Sequence, residues 1–581
     1  MNITYAWEKD MQRYNKEINK EDRIIAYFSM EMGFESHLPT YSGGLGILAG
    51  DTIKAGADLG VPLVGMTLLD ENGYFFQKLD GAGNQIEMPV HWSKDDFLKL
   101  MPAKVIIQIE GRDVVVQAWE YTVTGVSGAT VPVYLLDTNI EANSENDRYI
   151  TSYLYGGDSR YRFSQEMVLG IAGTKILKEL GYLDIRKYHM NEGHAALLTL
   201  ELMEEDKNEN NKTEYDPHAV RRKCVFTTHT PIPAGHDKFT PDIVHSMYGD
   251  ISRFGIDDGI FEDGKLNMTL LALRMSYFVN GVAKKHTEVS RSMFPGYSID
   301  SITNGVHSPT WVSGPFKKLY NEFIPGWKKD PFTLRYALSI PRRRIWDAHM
   351  EAKKRLIDEV NVQTNIGMDY HVLTIGFARR FTPYKRPDLL FRDIERLKRI
   401  NRNVGKIQIV FAGKAHPSDL GGKDMIRHIH EKINELKDDI KIVYLANYDM
   451  DLAKVMTSGA DIWLNTPRRP REASGTSGMK ACHNGVLNLS VFDGWWLEGH
   501  IVDVTGWGIG PKPTDIETET EADDAVDADD LYRKLETEIV PMFYNEQPKW
   551  MNMARSSIAL NASFFNTHRM VQQYITNAYC H

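Results

Sequence analysis

The sequence predicts an α/β protein made of two doubly wound lobes facing each other across a cleft, and three observations carry that prediction. A train of short apolar runs fills the second half: HVLTIGFA (371–378), KIQIVFAG (406–413), IKIVYLAN (440–447), ADIWLN (460–465) and VLNLSVFDG (486–494). Each has the length and composition of a buried parallel strand, with helix-like segments between most of them. Each run also ends in polar, basic or glycine residues, among them Arg379, Arg380, Gly413, Lys414, Asn447, Tyr448 and Asp493. That is where an open parallel sheet places its ligand crevice. The first half repeats the grammar: DRIIAYFSME (22–31) leads into the glycine loop YSGGLG (41–46), a helix-like segment follows, and VPLVGMTLL (61–69) returns as a strand.

Further strands are expected to end at HMNEGH (189–194) and TTHTPIPAGH (227–236), which makes both halves Rossmann-like. The domain reading is a first lobe over 1–320, a helical connection over 321–365 and a second lobe over 366–581 with C-terminal helices. At 581 residues the chain exceeds what one hydrophobic core serves. The charged stretch 312–365 has no Gly/Ser tether. The acidic run 515–530 reads as a solvated loop or insert, and the helix-like stretch after Pro548 as amphipathic enough to dock on one of the lobes.

Composition narrows the function. A net charge of -10 and a pI near 6.0 disfavour nucleic acid as the main partner, so an anionic ligand should be small. The start MNITYAWEKDMQRYNK lacks the basic and apolar regions of a signal peptide, and no apolar run approaches a membrane span, so a cytoplasmic location is expected. Three cysteines without CxxC spacing argue against a disulfide framework or a cysteine-built zinc site. His189 and His194 in HMNEGH invite a metal, but HExxH is absent and polar-pocket histidines are the better reading. No metal is expected.

The densest chemistry lies in TPRRPREASGTSGMKACHNG (466–485), where four small residues, 474–477, precede a helix-like stretch carrying Lys480. Backbone N–H groups at such a helix start suit a phosphate. EASGTSGMK resembles the pyridoxal-phosphate lysine motif EASGTGNMK of the glycogen/starch phosphorylase family, and the following Asn484 and Gly485 match as well. Other pieces match in the family's order. YSGGLGILAGD (41–51) resembles its glycine loop, LYGGDSRYRFSQE (154–166) its gate and QE helix, and TTHTPIPA (227–234) its NHT segment. TNGVHSPTW (303–311) resembles TNGITPRRW, ARRFTPYKRP (378–387) resembles VKRIHEYKRQ, and FAGKAHP (411–417) and NYDMDLAK (447–454) also align. The resemblance spans about residues 27 to 500.

The resemblance implies a GT-B type fold, pyridoxal phosphate on Lys480, and retaining phosphorolysis of an α-1,4-glucan or maltodextrin by inorganic phosphate, with the cofactor's phosphate relaying a proton. It places Arg380 and Lys385 on the substrate phosphate and Arg379 on the cofactor phosphate, with backbone N–H groups of Gly43, Gly44, Thr476 and Ser477 completing the cage. Two phosphates about 5 Å apart repel by roughly 3 kcal/mol per pair of unit charges at an effective dielectric near 20, so such cations are needed. For the sugar it implies Glu472 with the backbone of Ser474 and Gly475 on ring hydroxyls, Tyr384 on another, and Asn304 with His229 on the 6-hydroxymethyl group. The His229 carbonyl would face the anomeric carbon, and Trp311 and Tyr448 would pack around the cofactor.

The sequence departs from the family pattern at Ser477 and Gly478 for GN, Thr382 and Pro383 for HE, and Asp449 for an arginine. The pair Trp495 and Trp496, where the family has smaller residues, reads either as a sugar platform or as packing. The short amino end implies no AMP or phosphorylation control of the animal type, and a homo-oligomer stays open. Three readings compete with this one: a glycosidase using Glu472 as nucleophile or acid, a nucleotide-sugar glycosyltransferase of the synthase type, and a silent glucan-binding protein.

Overall fold

The computed structural model describes residues 20–256, 258–513 and 524–580. Its first large sheet contains β1 (Ile25–Ser29), β2 (Leu63–Leu68), β3 (Lys99–Ile109), β4 (Arg112–Thr124), β5 (Thr130–Asp137), β6 (Lys187–Asn191), β7 (Cys224–Thr227), β8 (Phe278–Gly281) and β9 (Asp300–Ser301), in the order β9-β8-β7-β6-β1-β2-β5-β4-β3. From β9 to β5 the neighbours run parallel, while β4 and β3 add an antiparallel edge. Helix α1 (Gly44–Asp58) makes the crossover from β1 to β2. The second sheet is parallel throughout: β10 (Leu373–Ala378), β11 (Ile407–Ala412), β12 (Lys441–Leu445), β13 (Ile462–Asn465), β14 (Leu487–Val491) and β15 (Gly506–Ile509), ordered β12-β11-β10-β13-β14-β15.

The apolar runs of the second half thus become β10 to β14. Helices cover both faces of such a sheet, so β10, β11, β13 and β14 are buried at every position and show no alternation. The strand order reverses between β10 and β13, and in the first sheet between β1 and β6. Each reversal opens a crevice at the carboxyl ends of the strands.

The charged connection holds helix α2 (Arg342–Thr364), which stops at Asn365 in the left-handed conformation, φ 53°. Lys353 and His349 on α2 reach Asp461, the residue before β13, at 2.5 and 2.8 Å. The buried charges of Lys353 and Asp461 are paired, and with the His349 hydrogen bond they fix the start of the strand that borders the crevice.

One expectation is corrected and another becomes definite. Of the acidic run, residues 515–523 lie outside the described residues, but from Asp524 the chain is helical rather than a solvated loop. Asp527 is fully buried and takes Arg386 and Arg469 at 2.7 and 2.8 Å, while Asp524 takes Arg386 and Arg468 at 2.9 and 2.8 Å. The arginine-rich loop TPRRPR needs these partners, since a buried cation without one is costly. The end of the chain also finds its place. Helix Gln547–Ser557 packs on α2, whereas α3 (Thr567–Tyr574) packs on α1 of the first half. There Val571 joins the core of Ile53 and Val133, and the Tyr574 hydroxyl meets Thr227 and Asn280 at 3.0 and 3.1 Å.

Candidate active site

A cavity of about 960 Å³ is lined by both halves of the chain, and every residue to which the resemblance gave a role in binding or catalysis lies on its wall. Gly43, Gly44, His229, Asn304 and Trp311 come from the first half. Arg379, Arg380, Tyr384, Lys385, Tyr448, Glu472 and the stretch 474–477 with Lys480 come from the second. The strand-order reversals explain the convergence: Arg379 and Arg380 follow β10, the loop 466–476 follows β13, Glu31 follows β1 and Glu192 follows β6.

Lys480 sits in the short helix Ser477–Cys482, with its Nζ 3.7 Å from the centroid of the Trp311 ring. Burial lowers its pKa from 10.5 to about 8, with Asp51 pulling the other way. Asp51 Oδ2 accepts the Trp311 indole N–H at 2.7 Å and the His307 N–H at 3.0 Å, which fixes the ring beside the amine. An amine so desolvated is a nucleophile near neutral pH, as condensation with an aldehyde requires.

Glu472 is the electrostatic centre. Its carboxylate meets Arg379 Nη2 at 2.5 Å and Lys385 Nζ at 2.9 Å. Burial alone would raise its pKa, but Arg379 and then Lys385 overrule this and hold it at about 2. Arg379 also donates to Asn465. The Arg380 guanidinium lies beside Gly43, where a Cβ would come within 3.0 Å of Nη2. His229 is neutral, because burial lowers its pKa to about 3; its Nε2 pairs with Asn191 Oδ1 at 2.6 Å, which leaves Nδ1 as an acceptor. Buried polar atoms without a protein partner mark the same cavity: Asn304 Oδ1, Ser474 Oγ and Thr382 Oγ1. Such atoms are costly unless a ligand or water satisfies them.

The family model described as "Carbohydrate phosphorylase" matches residues 256–504. The chain is 41% identical to the maltodextrin phosphorylase of Thermococcus litoralis, over 96% of this chain and 71% of that protein. It is 34% identical to the glycogen phosphorylase of Aquifex aeolicus, over 98% and 88%, and 33% identical to that of Mycobacterium tuberculosis, over 96% and 70%. The chain belongs to the carbohydrate phosphorylase family.

Within this phosphorylase the structure refines the sequence reading in three places. The Gly43 N–H does not point free into the cage: it donates to Glu31 Oε2 at 3.1 Å, as the Ser42 N–H does at 2.5 Å. Glu31 takes these amides because it is buried itself and needs donors. Arg379 and Lys385, both expected on phosphates, share the carboxylate of Glu472, and Arg379 also donates to Asn465, the acceptors that the loop after β13 and the end of β13 bring beside them. Trp495 and Trp496 are 2% and 0% exposed, pack edge-on against each other, and Trp495 meets Phe565 the same way, so they are packing and not a platform.

Three of the departures from the family pattern have local physical reasons, and the structure gives none for Thr382 and Pro383. Ser477 Oγ accepts the Trp463 indole N–H at 3.0 Å, and Asp449 caps helix Met450–Gly459 by accepting the Leu452 N–H at 2.9 Å. A Cβ on Gly478 would fall 2.3 Å from Asn488 Oδ1 and 2.9 Å from the Trp495 ring. Gly478→Ala is therefore expected to cost about 1–3 kcal/mol of stability by overpacking, read as a lower urea midpoint.

Sequence reasoning missed Glu31 and Glu192. Glu192 adopts φ 76°, and its carboxylate accepts the N–H of His229 at 2.8 Å, the Thr230 hydroxyl at 2.9 Å and the Gly193 N–H at 3.1 Å. Both carboxylates follow strands that flank the order reversal, and the only sequence signal for them was a carboxylate just past a strand-like run.

Proposed function

We propose that this chain is an α-glucan phosphorylase of the two-lobed GT-B type, performing retaining phosphorolysis of an α-1,4-glucan or maltodextrin to glucose-1-phosphate with pyridoxal phosphate held at Lys480. The observation that carries the reading is one cavity that combines a desolvated lysine, a cluster of cations and unsatisfied hydrogen-bond groups suited to a sugar. No helix among the described residues is long and apolar enough to cross a membrane.

The residues fit the cofactor. Lys480 offers a buried amine with no carboxylate paired to it among the described residues, and a Cβ at Gly43 would fill space against Arg380. Lys480, Gly44, Thr476, Ser477, Trp311 and Tyr448 would hold the group. When bound, it supplies a phosphate ester able to share a proton with inorganic phosphate.

The chain's own groups account for the rest. Arg380 and Lys385 take the inorganic phosphate, Arg380 by its planar fork and Lys385 as a point charge. Glu472, Ser474, Tyr384 and Asn304 hold sugar hydroxyls, and His229 Nδ1 is left to accept one from the 6-hydroxymethyl group. The His229 carbonyl, on a residue whose N–H is anchored on Glu192, stabilises positive charge developing at the anomeric carbon. Glu472, held at about 2, carries no proton at neutral pH, which disfavours a glycosidase acid.

The test is glucose-1-phosphate release from maltodextrin plus phosphate by protein supplied with pyridoxal phosphate. Release that requires all three additions is expected. Free glucose appearing without phosphate, or no product at all, overturns the reading.

A further inference from the structure

The far end of the chain grips the loop that carries Asn304. Val306 and Asn566 form a parallel bridge, with the Val306 N–H donating to the Phe565 carbonyl at 3.2 Å and the Thr567 N–H to the Val306 carbonyl at 3.0 Å. Gly305 lies so close to this segment that a Cβ there would fall 2.3 Å from the Asn566 carbonyl. Two residues at the start of α3 then hold the loop by side chains. Arg569 donates from Nη1 to the Thr303 carbonyl at 2.5 Å and from Nη2 to the Asn304 carbonyl at 3.0 Å. His568 Nε2 and His307 Nε2 both meet Asp58 Oδ2, each at 2.8 Å.

Arg569 is itself held in place. Its Nε donates to the Phe564 carbonyl at 2.9 Å, its Nη1 to Gln573 Oε1 at 2.9 Å, and its guanidinium stacks 4.6 Å from the Phe564 ring. From the other side the loop is tied to the second half, where Glu498 accepts the Thr303 hydroxyl at 2.9 and 3.0 Å and the Lys284 N–H at 3.0 Å. Thr303 and Asn304 are thus clamped between Glu498 and Arg569, with Asn304 Oδ1 buried and without a protein partner. A group that must meet one sugar hydroxyl gains from a backbone that cannot shift, since an ångström of misplacement costs up to about 100-fold in rate.

We propose that Arg569 is a positioning residue for the sugar site, acting through the Thr303 and Asn304 carbonyls to aim the Asn304 side chain at the 6-hydroxyl of the transferred glucosyl unit. The inference rests on the phosphorylase reading and on the assignment of Asn304 to that hydroxyl. A lysine at 569 keeps the charge but cannot bridge two carbonyls with a planar fork.

The experiment runs the holoenzyme in the synthetic direction with maltodextrin as acceptor, comparing glucose-1-phosphate with its 6-deoxy analogue. The wild type is expected to prefer glucose-1-phosphate strongly, because the analogue leaves Asn304 unsatisfied. Arg569→Lys should lose about 10- to 100-fold in kcat/KM on glucose-1-phosphate and less than about threefold on the analogue. Equal losses on both substrates would mark Arg569 as merely structural and overturn the proposal. Should Arg569→Lys not fold, Thr303→Ala releases the same loop from Glu498 and must show the same selective loss; an unselective one overturns the proposal. Asn304→Ala separates the premises. If it keeps the wild-type preference, the 6-hydroxyl assignment fails; if it abolishes the preference while Arg569→Lys preserves it, the positioning role fails. An enzyme inactive with both sugar phosphates at every position tested, wild type included, would sink the phosphorylase reading itself.

Discussion

Lys480→Ala is expected to yield a folded protein with no absorbance above the protein band and with phosphorolysis reduced at least about 10³-fold, the scale on which removal of an essential group in a catalytic unit acts. Lys480→Arg should behave the same way. Arginine keeps the positive charge near Trp311 and Asp51 but stays protonated and cannot condense with an aldehyde. If Lys480 served only as a point charge for phosphate, Lys480→Arg would retain activity within about tenfold, and the cofactor assignment would fall. The pH dependence of cofactor uptake gives a second measurement. Burial lowers this amine from 10.5 to about 8, so about half of it is neutral at pH 8, against under about 1% for an exposed lysine. The rate at which apoprotein takes up pyridoxal phosphate, followed by its visible absorbance, should climb through pH 8 and level off above it. A climb centred near pH 10 would mean that the amine is not desolvated.

The sequence made these groups readable for one reason: in a parallel sheet, chemistry gathers where strands end, and strands buried on both faces are plain apolar runs. The runs ending at Ala378, Gly413 and Asn465 were legible as β10, β11 and β13, and with them Arg379, Arg380 and the loop to Glu472. The antiparallel edge of β3 and β4 was less visible, because Lys99–Ile109 alternates exposed and buried residues and lacks the helix spacing that announces a crossover. The amphipathic pattern after Pro548 announced a face to bury without naming its partner, so the return of α3 to α1, and Arg569 with it, needed the fold. Glu31 and Glu192 were hidden differently. Each is a lone carboxylate after a strand, and only the strand order shows that these strands flank the reversal. The commitment of the Gly43 N–H to Glu31 is invisible for the same reason, since the two residues meet only when the glycine loop folds back over the end of β1.

Glu472→Gln should separate binding of sugar from binding of phosphate. The carboxylate is buried between Arg379 and Lys385, and glutamine leaves two cations facing a neutral group. Removing one partner of a buried ion pair costs about 3–5 kcal/mol. The titration argument gives a similar size: a carboxyl at about 2 in the folded protein and 4.5 in its ordinary state contributes about 3 kcal/mol. Because the folded value is the lower one, this stability is complete above pH 4.5 and is lost as the pH falls toward 2. Urea unfolding should therefore show a gap between wild type and Glu472→Gln that is constant near neutrality and narrows below pH 4.5. In activity, kcat/KM for the glucan should fall about 10²- to 10³-fold, as when a preorganised polar contact to the reacting sugar is removed. Phosphate should bind no more weakly, because Lys385 and Arg379 lose the anion that neutralises them and attract another more strongly. A variant whose KM for phosphate rises as steeply as its glucan kcat/KM falls would show that Glu472 orients the cations for phosphate and does not hold the sugar.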